Sequence, residues 1–288
     1  MNDQTTNIQW FPGHMTKTFR VIEKELRNVD IIIELLDARI PASSKNPTLA
    51  ELTKHKPRIL LLNKSDLADD ARTKEWIDYY HSLGYGAIAL SSKDRKCCKK
   101  VVAEAKNVLK DKLASRSEKG MTGFRIRAMV VGIPNVGKST FINNVTGGAP
   151  TRVEDRPGVT RGKQWIILDG IELLDMPGVL WPKFEDQNTA LKLAFTGSIK
   201  DDVLDIAEIA ALLLGMLRDS QPEKLCERYK IDGALPEDNY ELLGLIAKKR
   251  GMLLAKGELD IYRAAAMVLD ELRGGKLGRV TLEKCEEL

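Results

Sequence analysis

The chain has 288 residues, 43% of them apolar and 30% charged, with a formal net charge of +4, a globular composition with room for one large domain or two modest ones. No run approaches the roughly 20 apolar residues that span a bilayer, and MNDQTTNIQW at the start lacks the basic-then-apolar pattern of a signal peptide, so a soluble, cytoplasmic protein without membrane contact is expected. Cys97, Cys98, Cys226 and Cys285 form no C-x-x-C pair and His14, His55 and His81 are scattered, which argues against a structural zinc site.

In chain order, Met15, Phe19, Ile22, Leu26 and Val29 recur at helical spacing and predict a helix over 15–29. Lys17, Arg20, Lys24 and Arg27 recur on another face. The apolar run opening residues 29–39 predicts a strand buried on both sides in a parallel sheet. Residues 40–48 read as a loop. A second buried strand, 58–66, runs out into the polar loop Asn63-Lys64-Ser65-Asp66. A helix is expected over 73–84, closed by Gly84, then a strand over 85–93 and a helix over 101–117 that leads into a polar link, 117–123. Residues 125–147 read as strand, glycine-rich loop and helix. Residues 164–178 read as two strands joined at Asp169-Gly170, a hairpin signal. Strands alternating with helices argue an α/β fold with a doubly wound, mostly parallel sheet. Beyond about residue 195 only helical periodicity remains, over 202–218, 240–253 and 258–276. A domain boundary is therefore expected between Pro182 and Lys200, giving domains 1–190 and 191–288.

Three stretches carry chemistry. Gly132-x-x-x-x-Gly137-Lys138-Ser139 matches the phosphate-binding loop, with a strand before it and a helix after. Backbone N–H groups of Asn135, Val136 and Gly137 would close around phosphate oxygens, followed by Lys138, Ser139 and Thr140 at the helix start. Lys138 is expected to reach the β- and γ-phosphates and Ser139 to hold Mg²⁺. Asn135 is either a ligand for a potassium ion beside the phosphates or a polar spacer. The second stretch is Asn63-Lys64-Ser65-Asp66. A carboxylate at Asp66 accepts from the N1–H and N2–H₂ of guanine and repels the N1 acceptor of adenine. Asn63 would bond the other edge of the base, and Lys64 would lay its stem on the ring. Ser91 and Ser92, at the next strand end, fit the loop that contacts the guanine O6. In the third stretch, Asp175-Met176-Pro177-Gly178, Asp175 would hold Mg²⁺ through water and the Gly178 N–H would bond the γ-phosphate. Between the first and third stretches, Thr160 is the natural switch threonine, with Thr151 a rival. The residue after Gly178 is Val179, where many GTPases place a water-orienting glutamine. Hydrolysis is therefore expected to be slow without help.

The order is unusual, because the base-reading loop precedes the phosphate loop. An open α/β sheet permits this, since ligand loops lie at the carboxyl ends of strands whatever the order of the strands in the chain. The motifs NKSD, SSK, GIPNVGKST, PGVTRG and DMPGVLWP, together with WFPGHM near the start and GKLGRVTLE near the end, resemble the circularly permuted P-loop GTPases, and within them the ribosome-biogenesis branch. Met176 departs from the more usual threonine. The resemblance implies hydrolysis of GTP to GDP and phosphate, with Mg²⁺ and potentially K⁺, late in assembly of the large (50S) ribosomal subunit. It also implies binding to that subunit's rRNA, activation by the particle, and a chain monomeric off the ribosome. It points to His14 as a catalytic residue beside Lys138 and Thr160, although an N-terminal aromatic anchor is the plainer use of this segment. The clusters Lys248-Lys249-Arg250 and Arg273, Lys276, Arg279 suggest RNA backbone binding by a helical C-terminal domain. The rival function is a nucleotide-gated adaptor for a protein partner, with incidental hydrolysis.

Overall fold

The structure, a computed structural model, describes residues 8–94, 97–120, 125–145 and 165–287. The chain divides into two compact units. One holds Phe11–Pro182 and the segment beginning at Thr281, and the other holds Lys183–Val280 with the segment ending at Trp10.

The first unit is a six-stranded sheet of order β3-β2-β1-β4-β6-β5. Its strands are β1 (Ile31–Asp37), β2 (Arg58–Asn63), β3 (Gly86–Ala89), β4 (Ile126–Gly132), β5 (Trp165–Leu168) and β6 (Ile171–Asp175). All pairings are parallel except β5 with β6. Every residue of β1 and β2 is buried, which is why both read as mostly apolar runs, broken in β1 only by Glu34 before its terminal Asp37. The chain runs outward from β1 to β2 and β3, then returns to β4 on β1's other flank, so a crevice opens between β1 and β4 at their carboxyl ends. At the β5–β6 turn, Asp169 (φ +40°) and Gly170 (φ +86°) are both left-handed, as a type I′ hairpin turn requires. A Cβ at Gly170 would meet nothing within 4 Å, so Gly170→Ala carries only the conformational cost, about 1–2 kcal/mol. Thermal unfolding should register it as a Tm drop of a few degrees.

The helices of this unit are α1 (Gly13–Glu25), α2 (Pro47–Leu52), α3 (Asp70–Ser82), α4 (Cys97–Val108), α5 (Lys110–Glu118) and α6 (Lys138–Val145). α1 buries Met15, Thr18 and Ile22 and leaves Lys17, Arg20 and Lys24 exposed, as its two-faced pattern predicts. Two expectations fail. Pro47 and Thr48, expected in a loop, open a helix that runs to Leu52: the Asn46 side chain accepts from the Leu49 N–H at 3.1 Å, and Pro47 starts the helix. The helix expected over 101–117 is two helices, parted at the buried Leu109 (φ −99°, ψ 9°). Beneath the sheet, Arg58 pairs with the fully buried Glu34 at 2.9 Å and donates to the Leu49 and Ala50 carbonyls at 3.2 Å. That network ties α2 to β1 and β2.

The second unit is helical: α7 (Gln187–Phe195), α8 (Ile206–Ser220), α9 (Pro222–Tyr229), α10 (Asn239–Lys249) and α11 (Ile261–Arg273). Asp186, Asp205, Asp238 and Asp260 each cap a helix by accepting from first-turn N–H groups. Leu213, Leu214, Leu242, Ile246, Val268 and Leu269 form its core. Ile8 and Gln9 belong here: the Ile8 N–H donates to Gln187 Oε1 at 2.8 Å, and Gln9 exchanges two 3.1 Å bonds with the Phe184 backbone. Among the described residues, no helix is long and apolar enough to cross a membrane.

Candidate nucleotide site

Four strand ends place the site. The phosphate loop leaves β4, the base-reading loop leaves β2, the Ser91-Ser92 turn follows β3, and Asp175 ends β6. The two motif loops, about seventy residues apart in the chain, touch. Asn63 Nδ2 donates to the Val136 carbonyl at 2.7 Å, and Lys64 Nζ donates to the Asn135 carbonyl at 2.7 Å. Asn63 Oδ1 meanwhile accepts from both the backbone N–H and the hydroxyl of Ser92 at 2.8 Å. One amide thus ties the phosphate loop to the turn after β3.

Backbone geometry makes this closeness possible. Lys64 (φ +60°) and Asn135 (φ +56°) are left-handed, as is Gly137 (φ +97°). A Cβ at Gly137 would lie 2.3 Å from Asn63 Nδ2, so only glycine fits. Val136 and Lys138 are buried, whereas Ser139 and Thr140 are exposed on the first turn of α6. Lys138 Nζ lies 2.6 Å from Asp175 Oδ1. Asp66 is exposed, with Lys93 Nζ 3.7 Å from its carboxylate. Ser65 donates its N–H to the Leu90 carbonyl at 3.2 Å, and Ser91 is half-buried beside the buried Ser92.

Gly178 is half-buried in the segment after β6. Val179 is fully buried, donating its N–H to Gly132 O at 3.1 Å and accepting from Asn46 Nδ2 at 2.9 Å. It is a core residue and cannot polarise water. His14 is exposed in the first turn of α1. Its neighbour Met15 is buried, and Met15 Sδ accepts from the Leu180 N–H at 3.3 Å. Phe11 stacks on Phe19 of α1, with ring centroids 6.4 Å apart, so this aromatic anchors onto the helix. Thr160 and Thr151 lie outside the described residues.

Toward the phosphate end, the oxygen donors among the described residues are the Ser139 hydroxyl and the Asp175 carboxylate. Among the described residues no group of three His, Cys, Asp or Glu side chains could hold a metal ion. That sparse oxygen set suits Mg²⁺, which usually shares its shell with waters and substrate phosphates.

Sequence reading missed three contributors. Asp37, at the end of β1, accepts from Lys64 Nζ at 3.0 Å and from Arg39 Nε and Nη2 at 2.9 and 2.7 Å. Burial alone would raise the Asp37 carboxyl, but Arg39 and Lys64 more than offset it and hold the group well below the usual carboxylate range. A charge closing an apolar strand at the ligand edge of the sheet was the available signal. Asn144 of α6 donates to the Ser92 carbonyl at 2.8 Å; no motif marks it. The third contributor is the segment from Thr281, which packs within this unit. In the helical unit, Arg273 is committed to the Phe195 and Ala194 carbonyls and to Asp201, so it tethers α7 instead of joining a free basic cluster.

Comparison with known proteins points the same way. The family described as 50S ribosome-binding GTPase matches residues 127–243. That span contains the phosphate loop and Asp175 and omits Asn63–Asp66, which precede it. The chain is 47% identical over 281 residues to ribosome biogenesis GTPase A of Bacillus cereus, covering 97% of this chain and 95% of that protein. It is 31% identical over 282 residues to ribosome biogenesis GTPase A of Thermotoga maritima, covering 98% and 96%. Among solved structures, GNP-bound YlqF from T. maritima aligns with a TM-score of 0.63 at 28% identity, over 93% of this chain and 98% of that one.

Proposed function

This chain belongs to the family of ribosome biogenesis GTPase A and hydrolyses GTP, and from that premise we propose that it acts in the cytoplasm, as a monomer when free, late in assembly of the large ribosomal subunit. In this reading it binds the subunit's rRNA and is activated by the particle. The observation that carries the site assignment is the joint between the loops: Asn63 on Val136 and Lys64 on Asn135, each at 2.7 Å. One nucleotide can then be gripped at both ends.

Asp66 accepts from the guanine edge, and Lys64 covers the ring. With Oδ1 committed to Ser92 and one amide hydrogen to Val136, Asn63 keeps its second N–H for the base. Ser65, Ser91 and Ser92 shape that end. At the other end Val136, Gly137, Ser139 and Thr140 offer N–H donors at a helix N-terminus, and Lys138 neutralises phosphate charge. Asp175, paired here with Lys138, and Ser139 would hold Mg²⁺, Asp175 through water. When bound there, Mg²⁺ would offset the charge of the phosphates. K⁺ beside Asn135 would add to it. Thr160 and the Gly178 N–H report the γ-phosphate.

Because Val179 is a buried core residue, the attacking water needs another polar group. His14 is proposed for that role. It stands on the first turn of α1, and the next residue, Met15, is bonded to Leu180, two residues beyond Gly178. For RNA, the exposed residues Lys17, Arg20, Lys24 and Arg27 and the exposed Lys248 and Lys276 offer backbone-phosphate contacts.

The test is GTP hydrolysis with and without large ribosomal subunits, in potassium and in sodium. Subunits should raise the rate, potassium should exceed sodium, and His14→Ala should lower the stimulated rate by about 100-fold while leaving GTP affinity unchanged. A rate indifferent to subunits would overturn the proposed role.

A further inference from the structure

Thr281, Leu282 and Glu283 are buried and belong to the sheet unit. The Leu282 N–H donates to the Arg39 carbonyl at 2.8 Å. The buried Glu283 carboxylate accepts from the Ala42 N–H at 2.7 Å, from the Ser43 N–H at 3.2 Å and from the Ser43 hydroxyl. Thr281 Oγ1 accepts from the Asp69 N–H at 3.0 Å, and Trp76 Nε1 donates to the Glu283 carbonyl at 3.4 Å.

These bonds fall on either side of the base-reading loop. Arg39 and Asp37 form a bidentate pair, each only 1% exposed. The Asp37 N–H is fixed by Ser44 Oγ at 3.0 Å, one residue beyond the stretch that Glu283 caps. The same Asp37 carboxylate holds the Lys64 ammonium, whose other acceptor is the Asn135 carbonyl of the phosphate loop. Asp69 lies three residues after Asp66 and caps α3. Three consecutive tail residues thus secure the segment 39–43 that follows Asp37, the partner of Lys64, and the helix start into which Asp66 leads. A buried carboxylate feeding backbone N–H groups is costly to remove, because those donors lose their acceptor without regaining water.

We propose that Thr281–Glu283 is a positioning element of the nucleotide site: through Arg39 and Asp37 it holds Lys64 at the joint of the two loops, and so sets affinity for guanine nucleotides without touching them. The proposal rests on the assignment of Asn63–Asp66 to the guanine base. GDP and GTP share that end of the molecule. A defect transmitted through Lys64 therefore weakens both by the same factor, whereas a defect confined to γ-phosphate contacts separates them.

The experiment measures affinities of the full chain for GDP and for a non-hydrolysable GTP analogue, with thermal unfolding run in parallel. Glu283→Ala and Asp37→Asn should each weaken both nucleotides equally, by about tenfold, the scale of one lost buried hydrogen bond. Glu283→Gln, which keeps an acceptor oxygen, should recover most of the loss. Should Glu283→Ala fail to fold, Thr281→Val and Asp37→Asn carry the same expectation. Unchanged affinities in folded variants, or a loss confined to the GTP analogue, would overturn the proposal. Asp66→Asn keeps the two readings apart. If that variant still prefers guanine over xanthine, the base assignment itself falls. If it switches while the Glu283 and Asp37 variants bind normally, only the positioning role falls.

Discussion

Asp66→Asn should lower GTP affinity on the order of 10³-fold and make xanthosine triphosphate the better ligand. The carboxylate of Asp66 is the only group in the 63–66 loop that can accept from both N1–H and N2–H₂ of guanine, and each hydrogen bond to a charged group contributes roughly 1.5–3 kcal/mol. Two such bonds amount to about 3–6 kcal/mol, or roughly 10²- to 10⁴-fold in affinity. An asparagine presents an N–H₂ to the guanine N2–H₂, donor against donor. Xanthine carries a carbonyl at that carbon, so the same asparagine becomes complementary. Phosphate contacts are untouched, and the variant should unfold at the wild-type temperature. Competition of the two triphosphates for one bound fluorescent nucleotide reads the change directly.

Gly137→Ala should weaken nucleotide binding by about 500-fold while leaving the sheet intact. Two terms combine. An alanine at φ +97° pays a left-handed strain of roughly 1–2 kcal/mol. Its Cβ would also stand 2.3 Å from Asn63 Nδ2, expelling the amide that joins the phosphate loop to β2 and leaving buried groups unpaired at about 1–3 kcal/mol. Their sum, roughly 2–5 kcal/mol, falls on the joint between the two halves of the site. Gly13→Ala is the matched control: a Cβ there meets nothing within 4 Å, and nucleotide binding should not change. Isothermal titration of both variants with GDP checks the pair.

Much of the architecture was legible because the signals were local. Largely apolar runs marked β1 and β2, and Asp169-Gly170 marked the hairpin. The motif loops were readable for the same reason: each lies within a few residues, and their chemistry demands particular side chains. What escaped depended on residues far apart in sequence. Asp37 and Arg39 look like the ordinary end of a strand until Lys64 is brought beside them. Glu283 looks like one acidic residue among several near the C-terminus until it is seen to cap Ala42 and Ser43. α2 escaped for a different reason. Six residues give too little periodicity, and only the Asn46-Pro47 start carried the information. Charge patterning does not reveal which cations are spent on neighbouring carbonyls, as Arg273 is on Phe195 and Ala194.

The chain passes between its two units at three places, after Trp10, after Pro182 and after Val280. Neither unit is therefore a contiguous piece of polypeptide. Cleavage of the Pro182–Lys183 bond would leave an N-terminal fragment that still owns Ile8 and Gln9, hydrogen-bonded to Gln187 and Phe184 of the other fragment. The C-terminal fragment would still own Glu283, lodged against Ala42 and Ser43. Each fragment thus carries a segment that packs with the other, so a cut at this bond isolates neither unit whole.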